Sequence, residues 1–235
     1  MLPRVTIHNE ISVDGRITGS SSDLHRYYLV GHRWHPDAIL MGCDTVLAAF
    51  QAADADDEAQ PERLVPPEDL DATQRDPLPL LAVPDSRGRI RSWPALLQEP
   101  WWREIVALCT EQTPPSYFEY LDGLGVEYVI AGQERVDLKQ ALELLHDRYG
   151  IESILTDCGG ALNGALFRAG LVTEVSVLVN PSLVGGPPNS TLVDAQPLLE
   201  GEPVQLQFKQ LEKFEDGAVW LRYDVVHVPA ALAHH

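Results

Sequence analysis

Short apolar runs alternate with stretches whose apolar positions recur at three-to-four spacing, and this alternation organises most of the chain. Residues 4–13, RVTIHNEISV, alternate as a strand does and close at the Asp14-Gly15 turn signal. SDLHRYYLVGHRW places Leu24, Tyr27, Tyr28 and Gly31 on one face, which predicts a helix capped by Ser22 or Asp23. DAILMG predicts a short buried strand, and DTVLAAFQAA a helix that starts at Asp44 or Thr45. LLAVPD predicts a strand, left by the turn Ser86-Arg87-Gly88-Arg89. A strand over EIVALCT, a glycine-ended helix over SYFEYLDGLG and a strand over VEYVIAG follow. DLKQALELLHDRYG gives the clearest helix, with Asp137 as cap, Leu138, Ala141, Leu142 and Leu145 as stripe, and Gly150 as stop. Ile154-Leu155-Thr156 then leads through Gly159-Gly160 into a helix at 161–169 and an apolar run at 174–179. The tail VQLQFKQLEKFEDGAVWLRYDVV predicts two strands joined around Glu215-Asp216-Gly217.

Strands alternating with helices predict an α/β fold with a mainly parallel central sheet, flanking helices and an antiparallel C-terminal hairpin. Residues 1–235 read as a single domain. Residues 54–79, acidic and proline-rich, read as a long solvated loop.

Composition narrows the partners. With 235 residues and 45% hydrophobic content, the chain can bury a sizeable core. A net charge of −18, with lysine only at 139, 209 and 213, argues against a nucleic-acid surface, which needs clustered Lys and Arg. An anionic ligand must then be caught by local devices such as helix N-termini and single arginines. No stretch approaches the roughly 20 apolar residues of a membrane span. The N-terminus lacks the basic and apolar regions of a secretory signal, and three cysteines make no disulfide framework. A cytoplasmic protein with no membrane partner is expected.

Glycine pairs between a strand and a helix bring chemistry into this frame. Bare backbone at Gly159-Gly160 lets a phosphate or pyrophosphate meet N–H groups at the positive helix end. A tight turn needing φ > 0, or close helix–sheet packing, explains the same glycines equally well. ILMGCDTVL repeats the arrangement, with Gly42 after the strand and Thr45 in the first helical turn. Thr45 Oγ can cap the helix or bond a phosphate oxygen. Two such junctions on one parallel sheet suit a dinucleotide.

With these junctions, ILMGCDTVL and ILTDCGGALNGALFRAGLVTEVSVLVNPSLVGG resemble the reductase domain of riboflavin biosynthesis, the C-terminal domain of the bifunctional deaminase-reductases, whose fold is dihydrofolate-reductase-like. PRVTIHNEISVDGRI resembles that family's first strand, LLAVPDSRGRI its Asp-Ser segment, and NPSLVGG its Pro-x-x-x-Gly-Gly; the likeness runs from Pro3 to about Val226. The resemblance implies NADPH and reduction of 5-amino-6-(5-phosphoribosylamino)uracil, or its undeaminated relative, to the ribitylamino form. It implies that Gly42 and Thr45 face the cofactor, that Ser86 and Arg87 meet its 2′-phosphate, and that Gly159, Gly160, Ala161 and Leu162 cradle its pyrophosphate. Ile17 would lie against the nicotinamide, and Arg33 and Asp157 would hold substrate. The resemblance also implies a homodimer, covering an apolar tail ribbon of Val204, Leu206, Phe208, Val219, Leu221 and Val225.

The chain departs from the family where substrate phosphate is held. AAFQAADADDEAQPERL replaces Asp-Asp-Pro-x-Leu-Thr-x-Arg, leaving Arg63 or Arg75 as substitutes, and the loop between Asp14 and Arg33 lacks Trp-Ile-Ser. Glu10 replaces a small residue and Cys158 a glycine. Glu10 and Asp14 are the candidate catalytic groups. A carboxylate inside an apolar strand needs a ligand or a structural partner, while Asp14 reads first as a turn residue. His32 and His35 lack the carboxylates that would complete a metal site, and no metal is expected. Cys43 and Cys158 read as inert buried thiols ahead of a redox pair, and Trp101-Trp102 as core or interface. Reduction of another pterin or pyrimidine, or nucleotide binding without catalysis, fits the same cofactor motifs.

Overall fold

The computed structural model describes residues 1–17, 24–50, 78–185, 191–193 and 203–226. The expected acidic loop lies outside the described residues as far as 77, as do Arg63, Arg75, Ser22 and Asp23. In chain order the elements begin with β1 (Arg4–Ser12), α1 (Leu24–His32), β2 (Ala38–Met41), α2 (Cys43–Phe50) and β3 (Leu80–Pro84). They continue with α3 (Trp93–Leu96), β4 (Glu104–Cys109), α4 (Pro115–Leu124), β5 (Glu127–Ile130), α5 (Leu138–Tyr149) and β6 (Ser153–Asp157). The chain closes with α6 (Gly160–Arg168), β7 (Val172–Asn180), β8 (Leu206–Lys213) and β9 (Val219–Val225). Contacts divide it into two compact units, Met1–Pro3 with Asp23–Cys158, and Arg4–Ser22 with Gly159–His235.

The first unit lays five strands side by side as β5-β4-β3-β2-β6, every neighbouring pair parallel. Leu80, Leu81, Ala82 and Val83 are all fully buried, which is why β3 reads as an unbroken apolar run. Trp93, Tyr117, Leu121, Ile90, Leu96 and Trp102 fill the core against it. Trp102 is thus a core residue, and its indole N–H donates to Leu96 O at 3.0 Å. Helix α5 is built as expected: Asp137 Oδ1 accepts from Gln140 N at 3.0 Å, and Gly150 takes φ 69° after the last turn. The single turn α3, with Pro94 at its start, is too short to show a periodicity and was not anticipated.

The second unit orders its strands β1-β7-β9-β8, with β1 parallel to β7 and the other pairs antiparallel. Strand β1 departs from the alternation expected of it. Thr6, His8, Asn9, Glu10 and Ser12 are buried along with Val5 and Ile7, so both faces of the strand are covered. His8 Nδ1 lies 2.8 Å from Ser176 Oγ, which also accepts from Trp220 Nε1 at 2.8 Å. In the C-terminal hairpin the register slips between Phe208 and Gln210. Leu206, Phe208 and Leu211 then oppose Val225, Tyr223 and Leu221 on a single face. Lys209, at the slip, reaches Glu174 at 2.8 Å and Asp224 at 2.9 Å.

Candidate active site

In the first unit, parallel strands send their carboxyl ends to one edge, where open α/β sheets bind ligands. Met41 pairs with Asp157 at the ends of β2 and β6, so Gly42 and Cys158 come next to each other just beyond, and Asp85-Ser86 follow the end of β3 on the same edge.

Gly42 directly precedes α2, and its carbonyl accepts from Val46 N at 3.0 Å. It lies outside the positive-φ region, and a Cβ there would stand 3.4 Å from both Thr45 Oγ1 and Cys158 Cβ. Neither a turn nor a clash demands glycine, while its lack of a side chain leaves the first-turn N–H groups of α2 without a cap from this position. Cys43 begins that turn. Burial pushes its thiol up to about 11, against the pull of the Arg89 guanidinium 3.1 Å from its sulfur, so the thiol is inert at neutral pH. Cys43, Cys109 and Cys158 are buried and form no disulfide among the described residues.

Ser86 is fixed from two sides. Its carbonyl accepts from Thr113 Oγ1 at 2.9 Å, and its hydroxyl oxygen accepts from Val136 N at 3.1 Å. The hydroxyl proton remains available to a ligand oxygen. Arg87 beside it is exposed and has no ion-pair partner among the described residues.

Tyr27 on α1 donates its hydroxyl to Asp157 Oδ1 at 3.2 Å. Burial pushes the Asp157 carboxyl above the ordinary carboxylate range, and the Tyr27 hydrogen bond offsets part of that rise. Tyr28 packs edge-on against Tyr27, ring centroids 5.1 Å apart. Arg33 follows α1 and precedes Asp37, whose N–H binds Ser153 O at the start of β6, and its side chain is exposed. Arg26, beside Tyr27 on α1, is buried at 9% exposure.

The second unit supplies the other glycine junction. Gly159 precedes α6 with φ −81° and ψ 174°, ordinary extended backbone, and no side chain caps the helix. Gly160 is already helical, so neither glycine serves a φ > 0 turn. A Cβ on Gly159 would meet Ile17 Cδ1 at 3.7 Å, an ordinary contact, so Ile17 lies beside the junction. Ala161 and Leu162 complete the first turn. Asn163, which the sequence did not single out, is fully buried and donates Nδ2 to Asn9 Oδ1 at 2.8 Å and to Leu192 O at 2.9 Å. It pins the first turn of α6 to β1.

The two candidate catalytic carboxylates differ. Asp14 accepts from Ser12 Oγ at 2.6 Å, Gly185 N at 2.8 Å and Val184 N at 3.1 Å, and these bonds, the Ser12 hydroxyl first, hold it far below the usual carboxylate range. That is the signature of a turn anchor. Glu10 is buried within β1 opposite Leu178, two residues from His8 and on the face away from Asn9.

A family model described as the RibD C-terminal domain matches residues 3–220. Among curated proteins, the 2,5-diamino-6-ribosylamino-4(3H)-pyrimidinone 5′-phosphate reductase of Methanothermobacter thermautotrophicus is 34% identical over 219 residues, 89% of this chain and 93% of that one. The protein of the same name from Archaeoglobus fulgidus is 29% identical over 237 residues, 95% of this chain and 100% of its own. Among solved structures, Acinetobacter baumannii RibD matches with a TM-score of 0.71 at 23% identity, over 96% of this chain but only 58% of that longer one. A pyrimidine reductase-like protein from Corynebacterium diphtheriae gives 0.69 at 18% identity, over 96% and 93%. At such identities the structures establish the shared fold, and the sequence match over nearly the whole chain establishes kinship. The chain belongs to the RibD C-terminal domain family.

Proposed function

We propose that the protein is an NADPH-dependent reductase of riboflavin biosynthesis. Its substrate is 2,5-diamino-6-ribosylamino-4(3H)-pyrimidinone 5′-phosphate, the compound in its relatives' names, or the deaminated 5-amino-6-(5-phosphoribosylamino)uracil. The observation that carries this reading is the start of α6, where extended Gly159 and helical Gly160 leave the first-turn amides uncapped and open to a pyrophosphate. By contrast, α5 spends Asp137 on its cap, and α3 and α4 place proline in the first turn.

In this reading Gly159, Gly160, Ala161 and Leu162 hold the pyrophosphate, and Ile17 packs against the nicotinamide. Gly42 and Thr45 face the cofactor, while Ser86 and Arg87 hold the 2′-phosphate. The nicotinamide supplies the hydride when bound; the chain binds, orients and excludes water. Asp157, steadied by Tyr27, orients the substrate ring. Glu10 is the candidate proton donor, and Asp14 keeps its turn. Arg33 offsets the substrate's negative charge. The whole chain acts as one reductase domain, in the cytoplasm, as a homodimer joined through β8.

Loss of NADPH absorbance with ribosylamino-pyrimidine phosphates, set against dihydropterins, tests the proposal. Turnover with the pyrimidine phosphates is expected. Turnover with pterins alone would replace the substrate, and saturable NADPH binding without any turnover would leave a nucleotide-binding homologue.

A further inference from the structure

The loop that carries Ser86 and Arg87 rests on an aromatic ring. Gly88 takes φ +61°, and a Cβ there would fall 2.6 Å from Tyr117 Cγ and within 3.0 Å of both Cδ atoms. Only glycine lets the backbone lie so close. The Tyr117 hydroxyl donates to Asp85 Oδ2 at 2.8 Å and accepts from Trp93 Nε1 at 2.8 Å. The same Asp85 oxygen accepts from Ile90 N at 2.8 Å, which closes the loop on itself. Arg91 stands 5.0 Å from the Tyr117 ring centroid and donates Nη1 to Gly88 O at 2.7 Å. Asp85 and Tyr117 are almost wholly buried, at 2% and 1% exposure.

A turn after a strand does not need this construction. An aspartate in a turn can stay exposed and be satisfied by a neighbouring hydroxyl and backbone amides, as Asp14 is by Ser12, Val184 and Gly185. Here a carboxylate is buried, which is costly unless it is well bonded, and its donor comes from a different helix. What the arrangement secures is the position of the two residues next in sequence. With the backbone held by other groups, the Ser86 hydroxyl proton is left for a ligand, and the exposed Arg87 guanidinium has no ion-pair partner among the described residues. A loop ordered in advance loses little entropy when a phosphate binds.

We propose that Tyr117 is a positioning residue for cofactor selectivity: through Asp85 and Gly88 it holds Ser86 and Arg87 where they distinguish a 2′-phosphate from a 2′-hydroxyl. The inference rests on the NADPH reading above. Tyr117→Phe keeps the ring under Gly88 and removes only the hydroxyl. Asp85 is then left with the Ile90 amide, and the loop relaxes by a fraction of an ångström or more.

The experiment is titration of NADPH and NADH with purified Tyr117→Phe, followed by steady-state kinetics. NADPH affinity falls by roughly tenfold, the size of one charge-assisted contact, while NADH affinity stays within about twofold. KM for NADPH rises and kcat at saturating cofactor is kept. Equal weakening of both cofactors in the folded variant, or no change in either, overturns the proposal. Should Tyr117→Phe fail to fold, Thr113→Val, which removes the hydroxyl holding Ser86 O, is read by the same criteria. The NADPH reading has its own control: an unmutated protein that binds the two cofactors equally defeats that reading whatever Tyr117 does.

Discussion

Tyr27 and Asp157 form a hydrogen-bonded pair at the carboxyl edge of the first unit, phenol to carboxyl at 3.2 Å. Because burial raises the folded-state pKa of Asp157 above its unfolded value, its contribution to stability is complete below the ordinary carboxylate pKa and is lost as pH rises through the folded value. Tyr27→Phe removes the bond that lowers this pKa, so the loss moves to higher pH. Asp157→Asn removes the titration, and its stability profile is flat over that window. Urea unfolding of the three proteins at a series of pH values checks this, and coincident profiles for Tyr27→Phe and the unmutated protein defeat it. Asp14 carries the opposite sign. Its pKa is lowered by Ser12 and the two amides, so its stability is present above the ordinary carboxylate pKa and disappears as pH falls toward the folded value.

Two arginines serve different ligands in the proposal. Arg87 sits exposed beside Ser86 at the carboxyl edge, and Arg33 is exposed directly after α1. Arg87→Ala therefore weakens NADPH binding by roughly tenfold or more, for a charge-assisted bond of about 1.5–3 kcal/mol, and leaves NADH nearly unchanged. Arg33→Ala raises KM for the substrate by roughly tenfold and leaves NADPH binding nearly unchanged, as the loss of one charge-assisted contact to substrate requires. A substrate KM that stays within about twofold removes Arg33 from the substrate site.

What the sequence made legible follows from the range of the interactions. The strand–glycine–helix junctions at Gly42 and Gly159 could be read because a missing side chain at a helix start is a local fact. The cap at Asp137 and the stop at Gly150 were legible for the same reason. The buried polar residues of β1 were not. Asn9 meets Asn163 across 154 positions and His8 meets Ser176 across 168, so no window of sequence contains both partners. Tyr117 likewise read as part of a short helix, because its partners Asp85 and Gly88 lie on a loop after a different strand.

The hairpin tests the assembly. The slip at Lys209 gathers Leu206, Phe208 and Leu211 on one face of the terminal strand β8, where Phe208 and Leu211 are 59% and 58% exposed. An edge strand with such a face invites pairing, and a second copy of this chain is the proposed cover. Light scattering at micromolar protein is expected to return twice the 26.0 kDa chain mass. Phe208→Glu combined with Leu211→Glu shifts it to monomer without loss of secondary structure. A monomer in the unmutated protein removes the homodimer from the proposal.

Gly160→Ala separates binding from folding most sharply. Two reasons for a glycine at this point, a φ > 0 turn and a close approach by a ligand, predict opposite damage. Gly160 is helical and Gly159 is extended at φ −81°, so the fold asks for neither glycine on conformational grounds. Alanine inside a helix is favoured over glycine by about 0.5–1 kcal/mol, so the variant's thermal stability is unchanged or slightly raised. A methyl group in the first turn of α6 nevertheless occupies the space a pyrophosphate needs to reach the uncapped amides, and the NADPH dissociation constant rises by at least about tenfold. Gly159→Ala is a companion, because among the described residues its Cβ meets only Ile17, at an ordinary 3.7 Å, and folding is expected to stay intact. Both quantities are measured on each variant, unfolding without ligand and fluorescence titration with NADPH. A Gly160→Ala protein that is stable and still binds NADPH normally would show that the bare backbone at 159–160 is not a phosphate cradle.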